Sequence, residues 1–340
     1  MPNRAVDIEA KVRAPTNGIR DGSAVYKAGL DIIMNYGGLG DQICRLPAIK
    51  QLIEIYGPQL DYRIFMPRYF LEVFHKAVPE AKFISTLDMH KPLREKGRLI
   101  VDFTPLTFTS MRMHLVANAF VTLLDKIPTE AEMEYLKLPL DDQPPDLLDT
   151  RGDYVVITTG FTAPVRAIRA STVNGLVEYL IRVGLTPVFL GKAEAILGDE
   201  RNQKIKANFN RDIDYSKGVD LREKTSLIEA AHIMSKARAV VGLDNGLLHL
   251  AAMTDVPIVA AYTSVEPDAR LPIRNGKMGW RCVMIEPDEE LQCRGCQTYQ
   301  NFSRHDYKYC AYGDYQCLDQ ITAGKMIGAL KQILSGGKHI

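Results

Sequence analysis

The stretch Tyr36-Gly37-Gly38-Leu39-Gly40-Asp41-Gln42-Ile43 constrains the fold more than any other in the chain. Before it runs Asp31-Ile32-Ile33-Met34-Asn35, short and apolar enough to be a buried strand. After it, from Cys44 to Tyr56, apolar residues recur at helical spacing: Ile43, Leu46, Ile49 and Ile53, with Leu52 widening the stripe. Strand, glycine turn and helix open an α/β unit, and the glycines let the backbone turn tightly and admit a ligand closely. Asp41 falls where the helix begins. It reads either as a cap on free N–H groups, favoured by the helix dipole, or as a carboxylate at the end of a buried strand, where open α/β sheets bind ligands. The turn is neither GxGxxG nor a P-loop, since no Gly-Lys-Ser/Thr follows.

The same alternation continues. Strand-like runs at 62–66, 82–84 and 99–102 are interleaved with helical patterns at 69–77 and 111–124. Prolines and aspartates crowd the stretch from Leu138 to Gly152, and then the pattern restarts. Strands are predicted at 154–159, 186–190, 239–242 and 257–260, and helices at 172–183, 221–234, 245–253 and 321–334. The reading is α/β with mostly parallel sheets. It gives an irregular arm (1–30), a Rossmann-like domain (31–140), a linker (141–152) and a second Rossmann-like domain (153–334), with the cleft between the two domains as the natural binding site.

At 340 residues the chain is long enough for two ordinary domains, and its net charge of +1 does not favour a nucleic-acid binder. No run of 18 apolar residues is present, and Met1 to Lys11 is polar, without the apolar core of a signal peptide. A cytoplasmic location is the expectation, with attachment at a membrane surface left open.

Three constellations invite chemistry. Gly242-Leu243-Asp244-Asn245-Gly246-Leu247-Leu248-His249-Leu250-Ala251-Ala252 leaves a strand and opens a helix, with Asp244 or Asn245 as the cap. Its free N–H groups would face the cleft and suit phosphate. His249, one turn in, is expected to be neutral, because the helix N-terminus disfavours its cation. Thr159 to Arg169 leaves another strand and offers Arg166 and Arg169 as a charge-assisted fork for a diphosphate. Glu266, in Val265-Glu266-Pro267-Asp268-Ala269-Arg270, is placed to accept from a sugar or ribose hydroxyl, or to serve as a turn residue. The pair Asp212 and Asp214 lies in a polar, irregular segment and reads as surface.

Four of the six cysteines fall in the loop 293–317, spaced Cys293-x2-Cys296-x13-Cys310-x6-Cys317. They can be ligands of one structural zinc ion, with His305 as a substitute, or free or paired thiols.

The glycine turn at Gly38-Leu39-Gly40-Asp41 and the motif from Gly242 to Ala252, in this order and at this distance, resemble the two signatures of glycosyltransferase family 9, the ADP-heptose:lipopolysaccharide heptosyltransferases. The resemblance covers roughly residues 31 to 334. It implies the GT-B fold, two Rossmann-like domains facing across a cleft, and an inverting transfer that needs no catalytic metal or other cofactor. It implies that Asp41 is the general base, in an acceptor-side loop with Gly38, Leu39, Gly40 and Gln42. It places Arg166, where the family usually has a lysine, with Arg169, Asp244, Asn245, Gly246, His249 and Glu266 on the donor side. The implied partners are a nucleotide-sugar donor and a glycan or lipopolysaccharide-like acceptor, with protein or modified DNA as other acceptors. The alternatives are a sugar-nucleotide epimerase of GT-B fold and a non-catalytic sugar-nucleotide or glycan-binding module. A Rossmann oxidoreductase is disfavoured, because no GxGxxG follows any predicted strand.

Overall fold

The structure, a computed structural model, describes residues 29–35, 37–57, 59–88, 98–103, 113–141, 148, 153–160, 163–192, 212–299, 309–310 and 312–335. Residues 1–28 of the predicted arm, most of the predicted linker, and His305 lie outside the described residues, and Leu30, placed in the arm, is the first residue of β1.

Two parallel sheets organise the chain. The first holds β1 (Leu30–Ile33), β2 (Tyr62–Met66), β3 (Phe83–Ser85) and β4 (Leu99–Asp102) in the order β3-β2-β1-β4. β1 is buried along its whole length and pairs with β2 on one side and β4 on the other. The second sheet holds β5 (Tyr154–Thr158), β6 (Thr186–Leu190), β7 (Val219–Asp220), β8 (Ala239–Leu243), β9 (Ile258–Ala261) and β12 (Cys282–Ile285). Its order is β12-β9-β8-β5-β6-β7, and a hairpin of β10 (Ile273–Arg274) and β11 (Lys277–Met278) stands apart from it. Central strands of a parallel sheet are covered on both faces, so they read as unbroken apolar runs such as Val155-Val156-Ile157 and Val240-Val241, all fully buried.

The longer helices and those at the site are α1 (Leu39–Ile43), α2 (Leu46–Tyr56), α3 (Leu71–Ala77), α4 (Leu115–Leu124), α5 (Ala170–Arg182), α6 (Leu227–Lys236), α7 (Gly246–Ala252) and α8 (Ala323–Leu334), with single turns at Cys296–Tyr299 and Gln316–Asp319. Two predicted helices are corrected. The one read from Cys44 to Tyr56 starts at Leu46, with Pro47 in its first turn, and a separate short helix, α1, precedes it inside the glycine turn. The one read from Leu221 begins only at Leu227. There Ser226 and Glu229 form a reciprocal capping box, with the Ser226 N–H donating to Glu229 at 2.7 Å and the Glu229 N–H to Ser226 at 3.2 Å.

The segment 130–138 straps onto the second sheet's half. The Tyr135 N–H donates to the Ile273 carbonyl at 2.8 Å, and the Leu138 N–H donates to that of Met253 at 2.9 Å. The Glu134 carboxylate accepts the N–H groups of Asn275 and Gly276 in the hairpin turn. His114 ties the start of α4 to the same half. Its Nδ1 accepts the Val116 N–H, so Nε2 carries the proton and donates to the Leu271 carbonyl at 3.0 Å. Burial holds its pKa down to about 4, which keeps the ring neutral. One buried apolar cluster accordingly runs from Ile43 and Tyr135 to Leu248, Tyr262 and Leu271.

Candidate active site

In an open parallel sheet, ligands bind beyond the carboxyl ends of the strands where the strand order reverses. In the second sheet the order reverses between β5 and β8. Arg166 lies in the short turn Pro164–Arg166 after β5, and Asp244 follows β8 directly. In the first sheet the reversal falls between β1 and β4, and Asp41 lies on α1 just after β1. The two crevices face each other through α1 and α7.

The contact between those two helices depends on two glycines, one from each motif. A Cβ on Gly40 would stand 2.5 Å from Cδ2 of His249, and one on Gly246 would stand 2.7 Å from Cβ of Leu39 and 3.2 Å from the Gly40 nitrogen. No real side chain fits at such distances, so the glycines set how closely the halves approach. Gly246→Val is expected to destabilise the fold by about 1–3 kcal/mol through overpacking. Denaturant unfolding checks this, and an unchanged midpoint contradicts the contact.

Asp41 is the third residue of α1. Its carboxylate accepts the Gly38 N–H at 2.8 Å, so the expected cap exists. The same carboxylate also reaches the other half, with Oδ1 lying 3.5 Å from the Arg270 guanidinium. Gly37, at φ +101, leaves room beside it, where a Cβ would come within 2.9 Å of Asp41 Oδ2. Gln42 points away, its amide donating to the Met34 carbonyl at 2.8 Å and its Oε1 accepting from Arg45 at 2.8 Å. Those bonds hold α1 on the end of β1.

Asp244 is the centre of charge. It is 4% exposed, yet neither carboxylate oxygen accepts a hydrogen bond among the described residues. Arg166 approaches Oδ2 at 3.5 Å, and Nε2 of His249 approaches Oδ1 at 3.5 Å. Burial opposes its charge, but Arg270, His249 and Arg166 outweigh that and hold its carboxyl well below the usual range. Burial likewise opposes the Arg270 cation, and Asp244 and Asp41 outweigh it and raise its pKa. The Nε atoms of Arg166 and Arg270 are buried without acceptors among the described residues. Two carboxylates and two guanidiniums are therefore packed together with hydrogen-bonding capacity left over.

The surroundings of His249 run against the expectation of a neutral ring. Burial does disfavour the cation, but Cys44 and Asp244 outweigh burial and lift its pKa to about 9. The ring is 1% exposed, and a seven-residue helix end counts for little against a carboxylate 3.5 Å away. The expectation that the first turn of α7 offers free N–H groups is corrected. Oδ1 of Asn245 accepts from Leu247 at 3.0 Å and Leu248 at 3.1 Å, and its amide donates to the Gly160 carbonyl at 3.0 Å. Asn245 is thus the cap, and Gly246 is pressed against Leu39.

Arg169 does not join Arg166. It pairs with Asp319 at 2.7 Å on the exposed side of α5. Glu266 lies in the wall after β9, 3.9 Å from the Arg294 guanidinium, and burial raises its pKa. Asp214 caps a short turn, its carboxylate accepting the Ser216 N–H, as its surface reading requires. Sequence reasoning missed Arg270, Tyr135 and Cys44. Arg270 stood in a quoted stretch without a role, and Tyr135 carries no motif at all.

The loop cysteines lie close enough to raise one another's pKa, as either the shared-metal or the free-thiol reading requires, and His305 lies outside the described residues. Among the described residues no group of three or more His, Cys, Asp or Glu is arranged to hold a metal ion. Cys317 packs into the core with Leu318 and Ile321. Burial first, and then the neighbouring cysteines, raise the pKa of Cys296 to about 11 and of Cys317 to about 12. Cys293 and Cys310 are free thiols as well.

Two parallel sheets with facing carboxyl ends and a charged seam between them define a GT-B protein. A family model, glycosyltransferase family 9 (heptosyltransferase), matches residues 113–297, more than half of the chain, and the chain belongs to that family. It is similar to lipooligosaccharide heptosyltransferase 2 of Haemophilus influenzae, 31% identical over 99 residues, which is 29% of this chain and 27% of that relative. The iron-containing dodecameric glycosyltransferase TibC of enterotoxigenic E. coli superposes with a TM-score of 0.68 at 16% identity, over 90% of this chain and 76% of that one. The E. coli ADP-heptose lipopolysaccharide heptosyltransferase II superposes with a TM-score of 0.63 at 16% identity, over 90% and 98% of the two chains. At these identities the superpositions speak for the fold.

Proposed function

We propose that this protein transfers a sugar, heptose or a close relative, from a nucleotide diphosphate donor to an acceptor hydroxyl by one displacement that inverts the anomeric carbon. The observation that carries the reading is the run Asp41–Arg270–Asp244–Arg166, which joins the reversal points of both sheets across the seam.

Each group has work in that reaction. Asp41 accepts the proton of the acceptor hydroxyl as the bond to the anomeric carbon forms. Arg166 and Arg270, with unspent Nε donors, take the diphosphate and stabilise its charge as it leaves. The donor diphosphate then competes with Asp41 for Arg270 and releases the carboxylate oxygen for the acceptor. Asp244, whose two oxygens lack donors, accepts from sugar hydroxyls rather than meeting phosphate. Glu266 takes a ribose hydroxyl in the wall. These cations supply the charge stabilisation, so no metal step is assigned.

The donor to test first is ADP-heptose, since one similar structure is described as a complex with ADP-D-β-D-heptose. The acceptor class is a lipopolysaccharide-like glycan, reached from a membrane surface. No helix among the described residues is long and apolar enough to cross a membrane. Calorimetric titration with ADP-, GDP- and UDP-sugars tests the donor site. ADP-heptose is expected to bind, and binding of none of the panel refutes the reading.

A further inference from the structure

Behind Asp244 lies a buried polar chain that the reaction above does not use. Cys44, at the end of α1, belongs to the first half, and His249 on α7 belongs to the second. Between them stands Tyr135, on the strap that hydrogen-bonds to the second half. Its hydroxyl lies 2.9 Å from Cys44 Sγ and 2.8 Å from Nδ1 of His249, while Sγ itself is 3.9 Å from Nδ1. The two rings are stacked, with centroids 6.0 Å apart and planes 20° from parallel. Tyr135 is 3% exposed and His249 1%. Buried hydroxyls and imidazoles keep one orientation only when their partners are fixed, because a missing partner is costly there.

We propose that Tyr135 is a positioning residue of the donor site, its hydroxyl joining Cys44 of one half to His249 of the other so that the paired halves fix the imidazole behind Asp244. The inference rests on the reading of Asp244 as a donor-site group. The chain of donors is consistent from end to end. The imidazolium faces Asp244 through Nε2 as an ion pair at 3.5 Å and donates through Nδ1 to the Tyr135 oxygen, and the Tyr135 O–H donates to Cys44 Sγ. The groups facing His249 are Cys44 from α1, Tyr135 from the strap and Asp244 from the end of β8. Further out are His114 at the start of α4, Arg270 after β9, and Tyr262, which acts on Asp244. His114 is neutral and Arg270 is paired with the carboxylates; Cys44 and Asp244 favour the cation, and Tyr135 is the group whose hydroxyl meets Nδ1 directly. Tyr135 touches neither donor nor acceptor and acts through His249.

The test compares Tyr135→Phe with the wild-type full-length protein. Removing the hydroxyl leaves the imidazolium N–H without an acceptor, which disfavours the cation. ADP-heptose binding is expected to weaken by about tenfold at pH 8, the size of a lost hydrogen bond to a charged group. The fall of affinity on the alkaline side is expected to move to lower pH, and donor KM is expected to rise while kcat holds. Profiles that superpose on the wild type overturn the proposal. Nitrogen NMR of His249 in the wild type gives an independent reading should the variant fold poorly. Both nitrogens protonated at pH 7.5 is the expected result, and a neutral ring overturns the proposal. Failure of the wild type to bind any sugar nucleotide counts against the proposed function instead, and a neutral His249 ring still overturns the role of Tyr135.

Discussion

Asp41→Asn is expected to lower the rate of sugar transfer by about 10²- to 10⁴-fold while leaving ADP-heptose bound. The amide keeps the shape of the carboxylate and can still accept the Gly38 N–H, so α1 should remain formed. What it loses is the ability to take a proton, and with it the charge that Arg270 faces at 3.5 Å. A freed Arg270 strengthens rather than weakens the diphosphate site, so donor affinity is expected to hold or rise. Single-turnover transfer together with calorimetric donor binding separates the two effects. A variant that transfers at the wild-type rate makes Asp41 a helix cap and nothing more.

Asp244→Ala is expected to be the most destabilising single change in the site. Asp244 balances Arg166, Arg270 and protonated His249, and the last two are buried. Removing one partner of a buried ionic cluster leaves uncompensated charge and typically costs about 3–5 kcal/mol. Urea unfolding measures it, and a loss no larger than that of an exposed Asp→Ala change contradicts the cluster. Asp244→Asn keeps the volume and one acceptor oxygen. It is expected to cost less stability but still to lose donor affinity, since it holds His249 charged less firmly. The sign of the pH dependence follows. His249 has a raised pKa, so its contribution to stability is complete below the ordinary value near 6.5. That contribution is lost as pH rises through about 9. The Asn variant keeps Cys44 beside the ring, so its alkaline loss is expected to be smaller and to come at lower pH.

The alternation of strands and helices was legible because parallel strands buried on both faces write themselves as apolar runs, and the helices between them as amphipathic stripes. The glycine turn was legible in part. The glycines read as a tight turn open to a close neighbour, but the neighbour at Gly40 is His249 and at Gly246 is Leu39, residues of the facing half. Helix starts were less so. The start of α6 depended on Ser226 and Glu229 forming a reciprocal pair, and the start of α2 on Pro47, both local signals overridden by the apolar run around them. The site was half visible. Asp41, Arg166, Asp244 and His249 stand in the turns and short helices that follow strands, where position in the chain implies position in the fold. Arg169 has the same residue type three positions from Arg166, but α5 begins right after it and turns it toward Asp319. Arg270 reaches Asp41 only because the turn Pro267–Ala269 folds the chain back over the seam. Tyr135 reaches His249 only because its segment docks on Met253 and Ile273. Neither event is written in local sequence. The expectation for His249 weighed the helix end, which is local and visible, and not Cys44, which lies 205 positions away.

The most direct test of a single displacement driven by Asp41 is the configuration of the bond it makes. Purified protein, ADP-D-β-D-heptose and a heptose-deficient lipopolysaccharide are incubated, and the new anomeric linkage is read by NMR. An α linkage, inverted from the donor, is the predicted result. A β linkage contradicts the account, because retention requires a covalent intermediate or a front-face attack in which Asp41 is not simply the base.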